Sequence, residues 1–532
     1  MTIRNFYPVA ALCLSLTAAR AQPAFLDSTF NHSGTVISDL GLASSGSTCT
    51  FTTDNKLLVA GRIMFAAGQE QYFITAYDDT GALVTSFGIG GTVTDTFQQG
   101  FNNNIGKIKE QADGKLVVVG STYDAPSSNI VPVVARFNAD GSRDATFGIN
   151  GVVQFANNLN DLVIQPDGKI LLCGEYYGGS YNAYLIIRLK TNGTPDSTFG
   201  TNGITTVRFS SSWHDAANAI GLQSDGKIIV AGGSRPSGYL ASVARLNTNG
   251  SVDSSFGPSA NGRATLFVTG VNDAFKDLSI GSDNSIVLSG NTLLTTTAPA
   301  DGECFIAKYT ANGLTDNTFN GSGLLELNSS SGIDAATGLA LQPNNKIVVG
   351  GYTEPVAGSS SYNFFLFRFN ATGSLDTSFG SSGFITSDFA TGSAASNDQA
   401  WDLCLENDGR IAMCGASTMS GHQYTTVAKY LHGRPVLTVS DVARQLSNIN
   451  LYPNPVTTDE TLNFSLENAT AIAVSLTDMQ GRQVAILAES SMYTPGNHSI
   501  KLAIPDMLQS GNYVINLISA GQLMANIKIT KL

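Results

Sequence analysis

Between residues 25 and 431 the hydrophobic and polar positions repeat one arrangement: a short alternating stretch, a polar turn, a continuously apolar run, a second turn and a corner written D-x-x-F-[GN]. In one copy Ile220 and Leu222 precede Asp225-Gly226, a dipeptide that accepts positive φ and favours a tight hairpin. The run from Lys227 to Ala231 that follows is apolar on both faces and needs cover on two sides. Val243 to Leu246, with Asn249-Gly250 after it, and Ile204 to Phe209, after the preceding corner, complete four predicted strands for the unit.

The corner phenylalanines are Phe30, Phe87, Phe147, Phe199, Phe256, Phe319 and Phe379, at intervals of 57, 60, 52, 57, 63 and 60 residues, with Val84 replacing the aspartate in the second copy. The turns recur in step, their third residue falling at Lys56, Lys115, Lys169, Lys227, Ser285, Lys346 and Arg410. A basic residue closes most units, at Arg136, Arg188, Arg245, Lys308, Arg368 and Lys429, but Ile74-Thr75-Ala76-Tyr77 lacks it. Seven four-stranded units joined by short glycine-rich links predict an all-β chain whose main part is a seven-bladed β-propeller, with an open solenoid as the alternative. In each corner the aspartate is expected to accept backbone N–H groups while the phenylalanine fills the blade core.

Composition agrees: 13% charged residues and 55 glycines among 532 suit tight turns better than long surface helices. The net charge of −12, with no basic cluster, leaves no means of neutralising phosphates and excludes nucleic acid as a partner. Arg4, the apolar run from Val9 to Ala19 and Ala19-Arg20-Ala21 form a signal peptide over residues 1–21, too short to span a bilayer. Leu12 before Cys13 argues against a lipid-attachment site. Cys49, Cys173, Cys304, Cys404 and Cys414 remain, an odd and sparse set expected to be buried as small apolar residues, although Cys404 and Cys414 flank one turn and a bridge between them is an alternative. Without a CxxC pair or HExxH no metal site is expected, and no cofactor is expected either.

One polar position has a candidate function. Ten residues before each turn aspartate or its equivalent stand Ser44, Asn103, Asn157, Asp215, Asp273, Asp334 and Asp398, and equivalent positions in a propeller form a ring. If they open the strand nearest the axis, Asp215, Asp273, Asp334 and Asp398 would present a negative arc at the funnel mouth, with Trp213 and Trp401 as an aromatic platform for a sugar. The competing reading has each aspartate capping a loop. No G-x-S-x-G elbow or phosphate loop is present, so the leading expectation is a non-enzymatic binding scaffold for a glycan or protein ligand. A carbohydrate-active enzyme using Asp273 and Asp334 is the alternative and needs carboxyls roughly 5 to 10 Å apart. A structural coat protein is the third.

The repeats resemble the bacterial delta-60-repeat family, which carries the D-x-x-F-G corner and a Q-x-D-G-K hairpin, here Gln165 to Lys169 and Gln223 to Lys227. The resemblance implies a propeller-like surface protein over residues 22–431 and transfers no catalytic residue. After a linker at 432–448, residues 449–532 contain strand-like runs that suit a small antiparallel, Ig-like sandwich. Tyr452-Pro453-Asn454-Pro455, the Asp478-to-Arg482 turn with Gly481, Ser510-Gly511-Asn512-Tyr513 and the terminal segment from Lys528 resemble the C-terminal sorting domain of the type IX secretion system of Bacteroidetes. By that resemblance its partners are the outer-membrane translocon and the machinery that removes the domain, and the protein is exported to the cell surface or secreted.

Overall fold

The computed structural model describes residues 25–66, 69–97, 101–124, 129–179, 181–209, 214–235, 239–268, 272–295, 301–327, 332–359, 361–389, 397–431, 446–456, 459–466, 470–478, 483–505, 508–519 and 522–531. The expected signal peptide, most of the expected linker, Trp213 and Gly481 lie outside them. All the regular elements described are strands. The chain divides into two compact units, residues 1–434 and 435–532.

The first unit is a closed ring of seven four-stranded antiparallel sheets. Their inner strands are Ala43–Phe51, Phe101–Glu110, Asn158–Ile164, Ala216–Leu222, Ala274–Ile280, Asp334–Leu341 and Asn397–Leu405, and we number the blades in that order. Each inner strand packs beside the next, and that of blade seven returns to that of blade one, so the repeats close rather than stack. The seventh sheet is completed from the other end of the chain: Thr35–Ser38 pairs with His422–Tyr430, Thr35 opposite Ala428 and Ser38 opposite Thr425. The corner at Phe30 thus belongs to the last blade. Between the sheets lie cores of β-branched, leucine and aromatic side chains, the need for cover that a doubly apolar second strand imposes.

Every inner strand carries a one-residue bulge, at Ser47, Gly106, Asn160, Asn218, Lys276, Thr337 and Trp401. Opposite the residue before each bulge stands a glycine of the second strand: Gly61, Gly120, Gly174, Gly232, Gly290, Gly351 and Gly415. A Cβ at Gly232 would lie 2.0 Å from the Ala216 carbonyl oxygen, and at Gly174 1.9 Å from that of Asn158. The bulge tips the inner-strand carbonyl into the space that a side chain would fill, which is why glycine stands there.

At the opposite ends of the blades the corner aspartates do more than accept backbone amides. Asp253 takes the Ser255 amide and hydroxyl on Oδ1, and Arg245 Nε at 2.8 Å and Lys227 Nζ at 3.1 Å on Oδ2. Burial pushes this carboxyl up, but those hydrogen bonds and charges outweigh it and hold it below the usual carboxylate range. Arg245 also lies over the Phe256 ring, 4.9 Å from its centroid, and donates to the Ala311 carbonyl of the next blade at 2.6 Å. Arg136, Arg188 and Arg368 likewise pair with Asp144, Asp196 and Asp376. In blade one, where Val84 replaces the acid, Ala76 holds the register place of the arginine, so acid and base are absent together and no lone charge is buried.

The second unit packs a three-stranded sheet, Leu446–Tyr452, Asp459–Leu466 and Gly496–Ala503, against a four-stranded one, Gln483–Tyr493, Thr470–Asp478, Gly511–Ser519 and Gln522–Lys531, all paired antiparallel. Leu462, Phe464, Val474, Leu476, Ile515 and Leu517 form its core. The strand from Leu446 begins inside the last three residues expected as linker.

Candidate functional site

The seven polar ring residues stand at the starts of the inner strands, and all but Asn157 are buried. Asp215, Asp273, Asp334 and Asp398 are buried, as are Ser44 and Asn103. Asp215 accepts the Phe209 amide at 2.8 Å and that of Arg235 at 3.3 Å. Asp273 accepts the Val268 amide at 2.7 Å and the Thr292 hydroxyl at 2.6 Å, and burial still raises its pKa. Asp398 accepts the Phe389 amide at 2.9 Å. Asn103 takes the Phe97 amide of the previous blade in the same manner, whereas Asn157 takes the Tyr177 amide at the end of its own blade's second strand. This is the geometry of the loop-capping reading, with buried carboxylates that take up backbone amides. The loop crossing from the previous blade has amides that need acceptors, and Asp215, Asp273 and Asp398 meet that need. Buried in this way, Asp273 and Asp334 are not presented to a sugar as an acid–base pair.

The charges that line the axis sit four residues further along: Lys107, Asp161, Asp277 and Asp402, in register with Thr48, Ala219 and Gly338. Each aspartate ties its inner strand to the next blade. Asp161 accepts the Ile220 amide at 3.0 Å, Asp277 that of Leu339 at 2.8 Å, and Asp402 that of Cys49 at 3.3 Å. Lys107 Nζ donates to Asp402 at 3.1 Å. Burial opposes its charge, but the carboxylates of Asp402, Asp277 and Asp161 more than offset this and raise its pKa. Asp277 is pushed up to about 6, by burial first, against the pull of Lys107 and with the repulsion of Asp402 and Asp161. Strict alternation hides these residues in the sequence because the bulge shifts the phase. Charges within an otherwise apolar inner strand were the available signal.

The bulged residues form a second belt. Asn160 donates to the Ala217 carbonyl, Asn218 to that of Phe275 and Thr337 to that of Ala400, at 2.8, 2.8 and 3.1 Å, each in the next blade. Lys276 and Trp401 depart from that pattern. Lys276 is exposed to water yet ringed by protein, which lowers its pKa. Trp401 is 37% exposed and reaches back over blade six, edge-on to Tyr352 with centroids 5.6 Å apart, while Tyr352 meets Tyr362 edge-on at 5.3 Å. Of the expected aromatic pair, Trp401 is thus placed at the inner strand, and Trp213 is outside the described residues.

In the second unit the separated motifs meet. Asn454 donates from Nδ2 to the Lys528 carbonyl and accepts the Thr530 amide on Oδ1, both at 3.2 Å, and the Val456 amide donates to the Thr530 carbonyl at 2.8 Å. Both prolines of the motif, Pro453 and Pro455, follow cis peptide bonds, and Tyr452 is 75% exposed. Gly511 pairs with Lys531 and Tyr513 with Ile529, and the Tyr513 hydroxyl donates to the Gln509 carbonyl at 3.0 Å. The motif residues described therefore clamp the terminal strand and leave Tyr452 and Lys528 exposed.

Comparison with known proteins accords with this division. The family described as a domain of unknown function (DUF5122) beta-propeller matches residues 111–147, 165–199, 223–256 and 342–379. Those are the blades with the full glutamine, arginine, aspartate and phenylalanine set. The family described as a secretion system C-terminal sorting domain matches 450–531. No curated protein matches the chain. Among solved structures, an acylaminoacyl peptidase of Pyrococcus horikoshii is similar at 9% identity and a TM-score of 0.36, over 82% of this chain and 59% of its own. The β-propeller domain of the Trilobed protease from Pyrococcus furiosus, at 9% and 0.29, covers 73% of this chain and 94% of its own. An endo-1,4-beta-xylanase from Bacteroides thetaiotaomicron, at 11% and 0.28, covers 59% and 98%. Such low identities and TM-scores leave those activities with those proteins. The sorting domain engages the type IX machinery and directs export to the cell surface or the extracellular space. The chain therefore carries DUF5122 β-propeller repeats, consistent with the delta-60-repeat resemblance, and a type IX C-terminal sorting domain over residues 450–531.

Proposed function

We propose that the exported propeller is a binding scaffold that takes a carbohydrate at the channel mouth, with Trp401 as its platform. The observation that carries this reading is the cluster of Trp401, Tyr352 and Tyr362, which stays partly open to water at an inner-strand bulge. Aromatic faces offer flat apolar contact to the C–H face of a pyranose, and the neighbouring polar belt supplies hydrogen-bonding groups. The rigid cross-blade bonds of the inner strands hold such a surface in place before the ligand arrives. Binding without turnover is the expected behaviour.

The test is a glycan array probed with the full-length exported protein, followed by calorimetry on the tightest glycan. Trp401→Ala should weaken binding about tenfold, the loss of roughly 1.4 kcal/mol of stacking. Asp398→Asn is the comparison, because its carboxylate anchors a loop and does not face ligand. An array with no bound glycan, or an unchanged affinity in Trp401→Ala, overturns the reading.

A further inference from the structure

The meeting of first and last blades gathers three of the five described cysteines. Cys49 lies on the inner strand of blade one, and Cys404 and Cys414 lie on the first two strands of blade seven. Cys404 stands opposite Ala412 and Cys414 opposite Asp402, so the hairpin does not set those two against each other as its symmetric turn suggested. Instead both face Cys49 across the junction. Cys49 Sγ is 3.9 Å from the carbonyl of Ala412, the strand partner of Cys404. Cys49 and Cys414 lie in one buried core cluster, and Cys404 packs against it. The Cys49 amide donates to Asp402, two residues from Cys404, which fixes the two strands at this level.

We propose that Cys49 and Cys404 form an oxidation site: a disulfide between them locks the propeller across its closing seam. Among the described residues no sheet pairing joins blades one and seven, whose inner strands meet through side-chain packing and the bonds to Asp402. The bridge would supply the covalent closure that the fold lacks. Export carries the chain through an oxidising compartment, where a reactive protein disulfide is the oxidant. Cys404 is half-buried and Cys49 fully buried, so the order of events is set. The Cys404 thiolate attacks one carrier sulfur and releases the other as a thiolate. The Cys49 thiolate then attacks the Cys404 sulfur and expels the second carrier thiolate. Two protein thiols are oxidised, the carrier disulfide is reduced to a dithiol, and the two thiol protons pass to the carrier.

Burial first, and the neighbouring Cys49 after it, hold the Cys404 and Cys414 thiols well above the ordinary value, so the order rests on the exposure of Cys404. Burial acts to raise Cys49, but the neighbouring Cys404 and Cys414 side chains outweigh it and lower its pKa, which suits Cys49 to the second attack. Cys173 and Cys304, each buried within its blade, are raised well above the ordinary thiol value and serve as internal controls.

Full-length protein is refolded with glutathione disulfide as the oxidant, unfolded in iodoacetamide and digested without reduction. Mass spectrometry should find one linked pair of peptides joining Cys49 to Cys404, with Cys173, Cys304 and Cys414 alkylated. The thermal midpoint of the native oxidised protein should exceed that of the dithiothreitol-treated protein by roughly 5 °C, since closing so long a loop restricts the unfolded chain. Cys173→Ser and Cys304→Ser should keep the link, and Cys404→Ser should lose the midpoint difference. Full alkylation of Cys49 and Cys404 in the wild-type protein overturns the proposal, as does a link that joins Cys404 to Cys414 or Cys49 to Cys414.

Discussion

Lys107 sets one ammonium against the carboxyls of Asp161, Asp277 and Asp402, and the balance depends on pH. Asp277 has its folded-state value pushed up from 3.8 to about 6, so its contribution to stability is complete below pH 3.8 and is lost as pH rises through 6. Lys107 works against that rise. Replacing it by methionine leaves the three carboxyls to repel one another once ionised, so the deficit must grow with pH. We expect Lys107→Met to lose about 3 kcal/mol at pH 8, the scale of a buried pair broken on one side, and distinctly less at pH 5. Urea unfolding at both pH values measures this, and an equal deficit at each would remove the charge argument. The sequence showed these residues only as charges within apolar strands. It showed the aspartates of the ring position clearly and offered loop capping as one of their two readings, but not which amides they would take, because those of Phe209, Val268 and Phe389 are brought up by the path of the preceding blade.

Among the elements, the strand Thr35–Ser38 does the closing. It covers the outer edge of His422–Tyr430, and the segment before it brings Phe30 into a fully buried place and Asp27 within 2.8 Å of Arg410. Deleting residues 25–38 should lower stability by at least about 3 kcal/mol through the loss of Phe30 burial and the ion pair. It should also produce concentration-dependent association through the uncovered edge, read by size-exclusion chromatography with light scattering. A truncated chain that stays monomeric and melts with the full-length protein would deny the strand this role. Four strands per unit were legible from the turn dipeptides and the doubly apolar runs. The phase of the units was not: a corner and a turn in one repeat look the same whether one chain segment or both ends supply the blade. The seven glycines opposite the bulges were equally visible as letters. Their cause, an inner-strand carbonyl in the place of a Cβ, exists only once the bulge is formed.

Across the whole molecule, folding and address are carried by different cores. The propeller clusters draw on described residues up to Tyr430, and the sorting unit's cluster begins at Ile449. The motifs of the sorting unit were legible because they are local strings. Their joint purpose was not, since the bond from Asn454 to the strand ending at Lys531 spans the domain. This separation makes a clean experiment available. Removing residues 445–532 takes away no described side chain of the propeller cores, so the truncated protein should keep the circular dichroism and melting midpoint of a folded β-propeller. It should nevertheless vanish from the medium and the cell surface and accumulate in the periplasm, as fractionation and immunoblotting would show. Grafting 445–532 onto a folded periplasmic reporter should move that reporter outside the cell. If the truncated propeller still reaches the medium at the full-length level, the terminal unit is not its address. If it is found unfolded, the two cores are not independent.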